Sequence, residues 1–196
     1  MIRRAAAPLL LAAATLILTA CGATGPSEEE TASLASFAET SCSGLASVYE
    51  ADDALSNLDR DIEELGTAEE QHAAAVEGVR SFIDLLEQSR DDVIADPPLV
   101  DAGEDGQDGD AIVALFTDYY DTWIDEASST LDAFAAEVPE FGPNEDGVRL
   151  ATLDLVSDVK EYGVPELVFP YGDIEDQDVI AAIDDESSCD DIVTVW

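Results

Sequence analysis

The stretch DAIVALFTDYYDTWIDEASSTLDAFAAEV, from Asp110 to Val138, decides the fold. Its apolar residues are Ile112, Val113, Phe116, Tyr119, Tyr120, Trp123, Ile124, Ala127, Leu131, Phe134 and Val138. Steps of three and four dominate, so these side chains form one stripe on an α-helix while the acids between them face water. Asp110 is the expected N-cap, and Pro139 with the turn at Gly142 and Pro143 is the expected stop.

The flanking segments carry the same period. Between Ser33 and Leu65 the stripe is Leu34, Phe37, Ala38, Cys42, Leu45, Tyr49, Leu55, Leu58, Ile62 and Leu65. It is weakened at Gly44 and at Asp52 and Asp53, where a kink or break is expected, and Gly66 reads as its C-terminal cap. Thr67 with Glu70 forms a capping box that opens a second helix, with Val76, Val79, Phe82, Ile83, Leu86, Val93 and Ile94 inward and Pro97 and Pro98 as the stop. Asp101 to Asp110 reads as a mobile acidic loop. Beyond the long helix, a fourth is expected from Asn144 to Tyr162 with Leu150, Leu153, Val156 and Val159 inward. Gly163, Pro165, Pro170 and Gly172 mark an irregular crossing, followed by a short helix near Asp176 to Asp185 and an extended tail to Trp196. Period-two runs are missing, so the expected fold is all-α: an antiparallel helical bundle of four main helices plus a short C-terminal helix, one domain over residues 33–196.

The N-terminus is a separate unit. Met1, Ile2, Arg3 and Arg4 precede an apolar run from Ala5 to Leu18, then Thr19, Ala20, Cys21 and Gly22. A basic start, a short apolar run interrupted by Pro8 and a small-residue site describe a cleavable signal peptide over residues 1–20 rather than a membrane-spanning helix. Leu18-Thr19-Ala20-Cys21 resembles the bacterial lipobox. The resemblance implies a diacylglycerol on the Cys21 sulfur, cleavage just before it, and a chain anchored to the extracytoplasmic face of the cell membrane. Residues 21–32, with Gly25, Pro26 and Glu28, Glu29 and Glu30, read as a flexible acidic tether.

Removing the first 20 residues leaves five basic residues against 46 acids, a formal charge of −41. That charge repels nucleic acid and anionic lipid surfaces. Lys160 is the single lysine; the bias matches adaptation to high salt, and high genomic GC content would produce it too. Past Cys21 there are two cysteines, Cys42 and Cys189. In an oxidising exported setting one pair has one intramolecular connectivity, so a disulfide tying the C-terminal tail to the first helix is expected; free thiols or metal ligands are the alternatives. Cys42 within Phe37-Ala38-Glu39-Thr40-Ser41-Cys42, with Cys189 near the end, resembles small actinobacterial exported lipoproteins, which pair a cysteine of the first long helix with one near the C-terminus. The resemblance implies a helical domain and no activity.

Candidate chemistry is sparse. His72 is the only histidine, expected on a solvated face, and the chain has no Gly-x-Ser-x-Gly nucleophile motif for it to serve. One histidine and a paired cysteine do not make a zinc site. Asp101, Glu104, Asp105, Asp108 and Asp110 offer hard oxygen ligands suited to calcium, although their register fails that of an EF-hand because Gly103 and Ile112 fall at ligand positions. Asp173, Glu175, Asp176 and Asp178 are explained by a helix N-terminus. Tyr119, Tyr120 and Trp123 line either a groove or, at helical spacing, the core. The expectation is a non-enzymatic, lipid-anchored module that binds a protein or another envelope component and no nucleic acid; the alternatives are a calcium-binding lipoprotein and a carboxylate-dependent hydrolase.

Overall fold

The computed structural model describes residues 25–65, 67–100, 106–136, 145–161 and 171–189. Among the described residues every regular element is helical: α1 Glu28–Leu55, α2 Leu58–Glu63, α3 Ala68–Ala95, α4 Gly109–Ala136, α5 Glu145–Glu161 and α6 Gln177–Asp185. Single 3-10 turns follow at Tyr171–Asp173 and Ser187–Cys189. The chain is an all-α bundle. Leu99, just past α3, bonds to Ser33 near the start of α1; His72 at the start of α3 meets Phe134 near the end of α4; Trp123 of α4 meets Val159 near the end of α5. Successive long helices α1, α3 and α4 therefore alternate in direction, and α3 packs on α1, α4 and α5.

The α4 stripe is the core as expected: Ile112, Phe116, Tyr119, Tyr120, Trp123, Ile124, Ala127, Leu131 and Phe134 are buried, and Val113 is half-buried. Val138 lies outside the described residues. Trp123 donates its indole N–H to the Val159 carbonyl at 2.9 Å, so this large side chain is buried without an orphaned donor. Phe116 takes edge contacts from Phe37 and Tyr171, both at 5.4 Å between ring centres. Where α1 crosses α3, Gly44 lets the helices approach: a Cβ there would sit 3.3 Å from Ser89 Cβ and 3.7 Å from the Tyr120 hydroxyl.

Several expectations need correction. Glu28 to Glu30 do not belong to a tether but form the first turn of α1, because Ser27 Oγ accepts the Glu30 N–H while Glu30 accepts the Ser27 N–H at 2.6 Å. The first helical stretch breaks at Ser56 and Asn57 rather than at Gly44 or Asp52, since Ser56 Oγ and Asn57 Nδ2 donate back to the Asp52 and Asp53 carbonyls and compete with helical continuation. Gly66, its expected cap, lies outside the described residues. In α3, Ile94 is exposed and Val76 only half-buried. The inward face of α5 is Val148, Thr152, Leu155, Val156 and Val159, whereas Leu150 and Leu153 face outward. Thr152 can occupy that stripe because its hydroxyl donates to the Val148 carbonyl at 2.9 Å.

Cys42 and Cys189 form a disulfide with a Cα–Cα distance of 5.1 Å, both fully inside the core. A disulfide sulfur carries no proton, so Tyr171 O–H is the donor in its 3.4 Å contact with Cys42 Sγ. The bond closes 147 positions of chain. Reduction, or Cys42→Ala with Cys189→Ala, is expected to remove about 4 to 5 kcal/mol by restoring entropy to the unfolded chain, read as a fall in Tm of roughly 10 °C or more. Burial, the largest cause in each case, pushes the phenols of Tyr119, Tyr120 and Tyr171 far above the ordinary tyrosine value. These groups are neutral in the folded state and ionise near pH 10 once unfolded, so their contribution is intact below about pH 10 and declines as pH rises further. Absorbance titration at alkaline pH should show these three tyrosines ionising only together with the loss of helical circular dichroism.

Candidate functional site

Three helices begin at one pole of the bundle: α1 at Glu28, α4 at Gly109 and α6 at Gln177. Each start is satisfied by a side chain. Ser27 and Glu30 cap α1, Asp108 accepts the Ala111 N–H at 2.8 Å, and Asp176 accepts the Asp178 and Val179 N–H groups at 2.9 and 3.0 Å. Between them lies the segment Pro97-Pro98-Leu99-Val100, pinned where Leu99 N–H donates to Ser33 Oγ at 2.9 Å. Gln107 fastens the C-terminal segment to the same pole, donating to the Asp173 carbonyl and accepting the Glu175 N–H, both at 2.8 Å. Gly109 is needed for this packing, since a Cβ there would stand 2.1 Å from the Pro98 carbonyl oxygen.

The result is an open groove of about 670 Å³ between Ser27, Glu29, Glu30, Pro97 to Val100 and Asp108 to Asp110. A second depression of about 450 Å³ shares Ser27, Glu30, Leu99 and Val100 with it and extends to Leu34, Asp176 and Asp178. The floor of the first is apolar, formed by Pro97 to Val100 with Leu99 49% exposed, and carboxylates rim both. Among the described residues no cation of the chain lines either. Arg80 pairs with Glu77, Arg90 with Asp91 and Asp121, Arg149 with Asp59 and Lys160 with Asp52, while Arg60 donates to Asn57. Glu29, Asp110 and Asp178 have no side-chain hydrogen bond or ion pair among the described residues, so their charge faces solvent.

Of the residues singled out from sequence, Cys21, Asp101, Glu104 and Asp105 lie outside the described residues. Asp108 and Asp110 come together at the groove, but Asp108 rather than Asp110 is the cap of α4. Among the described residues no cluster of three or more His, Cys, Asp or Glu is arranged to hold a metal. Asp173, Glu175, Asp176 and Asp178 fall around the start of α6, with Asp176 as its cap. Tyr119, Tyr120 and Trp123 are core residues and line no part of the groove. His72 is not on a solvated face: its ring stacks on Phe134 at 4.6 Å, and Nε2 lies 3.2 Å from the Phe134 carbonyl. It extends the inward stripe of Ala75, Val79, Phe82 and Leu86 by one step, a signal the sequence does contain. Glu29, Glu30 and the Pro97 to Val100 segment were invisible as site residues, because no local motif links them. Comparison with protein-family models, curated proteins and solved structures finds no match to this chain.

Gly109→Ala should lower stability by about 1 to 3 kcal/mol in denaturant unfolding, the cost of overpacking against a backbone carbonyl. The matched control Gly172→Ala, with nothing within 4 Å of the added methyl, should change it by less than about 0.5 kcal/mol.

Proposed function

We propose that this chain is an exported lipoprotein, lipidated at Cys21 and held on the extracytoplasmic face of the cell membrane, whose helical domain is a non-enzymatic binding module of the envelope. The observation that carries this reading is the groove at the pole where the chain leaves for Cys21. Ser27, which lines it, is six residues from Cys21, a span of about 20 Å when fully extended. A domain tethered so closely presents that pole to whatever lies at the membrane surface. The buried Cys42–Cys189 disulfide supports export, since such bonds persist in oxidising compartments. No described helix is long and apolar enough to cross a membrane, and a diacylglycerol on Cys21 would supply the hold instead. A charge of −41 beyond the signal turns the module away from nucleic acid and toward a protein or other envelope component. Calcium binding has less support, because Asp108 is committed to capping α4.

The anchor is tested by fractionating bacteria that express the full chain and weighing the N-terminal peptide by mass spectrometry. The expected result is a membrane-bound protein beginning at Cys21 with a diacylglyceryl mass, and a Cys21→Ser variant that loses both. Wild-type protein found unmodified and outside the membrane fraction rejects the reading.

A further inference from the structure

We infer that the polar groove takes a cationic, partly apolar polypeptide segment of another protein, with lysine or arginine on the Glu29, Asp110 and Asp178 rim and a leucine-like side chain on the Leu99 ledge; this deepens the binding-module reading and rests on it. Four observations lead there. The floor is apolar and half-exposed at Leu99, where an occupant gains by removing that surface from water. The rim carboxylates are not the capping ones: Glu30, Asp108 and Asp176 bond to backbone N–H groups at helix starts, while Glu29, Asp110 and Asp178 in the same first turns meet only the helix dipole and have no side-chain hydrogen bond or ion pair among the described residues. The chain's own basic side chains past the signal are engaged elsewhere, so neutralising cations must come from outside. The two depressions are open and lie side by side with Ser27, Glu30, Leu99 and Val100 in common, an arrangement that suits a strand of chain laid across rather than a small molecule enclosed. The segment is also held in place, by the Leu99 N–H on Ser33 Oγ and by the close approach of the Pro98 carbonyl to Gly109, so an occupant meets a preformed surface.

A second copy of this chain is a poor occupant. It would bring another strongly negative domain against the same rim, and like charges repel across such a contact.

The test is isothermal titration of the full-length chain in detergent at physiological ionic strength with three short synthetic peptides: lysine and leucine, lysine and serine, and leucine and serine. Saturable one-to-one binding is expected for the lysine–leucine peptide alone. Leu99→Ser, and separately Glu29→Gln with Asp110→Asn, should each weaken it about tenfold or more. Glu63→Gln with Glu64→Gln removes the same charge at the opposite pole and should weaken it less than about twofold. Leu99 is half-exposed, so its replacement leaves the core alone, and unchanged Tm in each variant confirms this. The proposal is overturned if both acid pairs cost the same, if Leu99→Ser costs nothing, if the lysine–serine peptide binds as well, or if no peptide binds. Self-association of the wild type that Leu99→Ser abolishes would assign the groove to a second copy instead. The titration is independent of where the protein resides: peptide binding by a chain that proves unlipidated keeps the groove and rejects the anchor, and the converse keeps the anchor alone.

Discussion

The groove depends on the covalent link between α1 and the end of the chain. Nine-residue α6 is shorter than the roughly 12 to 15 residues an isolated helix needs in water, so tertiary contacts must hold it. It buries only Val179 and Ile183. Cys189, four residues past its end, is bonded to Cys42 in the middle of α1, and Tyr171 ahead of it is fastened to the same sulfur. With both flanks fixed, the start of α6 has nowhere to go but the pole where α1 begins, and Gln107 completes that seat through two backbone bonds. A core large enough to fold without the bond would still leave the third wall of the groove loose. The disulfide therefore acts on the site through chain connectivity, not through any contact with it.

Electrostatics is tolerated here rather than used for stability. Three ion pairs join elements: Lys160 reaches Asp52 at 2.8 Å, tying α5 to the end of α1, Arg90 reaches Asp121 at 2.8 Å, tying α3 to α4, and Arg149 stands 3.9 Å from Asp59 of α2. Exposed pairs such as Arg80 with Glu77 contribute little, as pairs screened by water do. In four of the six helices the dipole is matched at one end only. Acids occupy the first turns of α1, α3, α4 and α6, but the last turns of α1, α3, α4 and α6 carry no cation. The fold thus rests on its apolar core and its disulfide while most of its charge is left to solvent and counterions.

Periodicity made the core legible and failed where polar residues entered it. Every described member of the α4 stripe lies inside or half inside, because that helix is apolar on one face and strongly polar on the other. In α5 both faces carry leucine or valine, so the period allows two stripes, and the buried one runs through Thr152. Thr152 satisfies its hydroxyl within its own helix, which lets a residue that counts as polar pack as an apolar one. His72 misled for the related reason that a ring can stack on Phe134 and hydrogen-bond its carbonyl, so burial costs less than its polarity implies. The α1 break was foreshadowed only as a weakness some residues upstream, because Ser56 and Asn57 act through side-chain bonds to carbonyls four residues earlier, a geometry that spacing does not display.

The site escaped the sequence for a reason that lies in topology. Locally, Glu28 to Glu30 resemble a tether, Pro97 and Pro98 a helix stop, and Asp173 to Asp178 an acidic helix N-terminus, and the last two readings match the structure. In an antiparallel bundle, however, helix starts alternate between poles, so α1 and α4 must begin together, and the disulfide brings α6 to join them. Each start prefers acids for its own dipole. The end of α3 arrives at the same pole bearing Asp91, Asp92 and Asp96 where a cation would ordinarily complement it. A rule applied three times, independently and for local reasons, together with the acidic end of α3 that departs from it, therefore leaves one end of the molecule with a concentrated negative charge that no single segment encodes. The Pro97 to Val100 crossing has to pass through that end to connect α3 with α4, and Pro97 and Pro98, lacking amide protons, spare it two donors that would otherwise need partners there. An apolar ledge inside an acidic rim is what this connectivity produces, and a patch so defined is distinguished from the rest of a uniformly acidic surface by its apolar part.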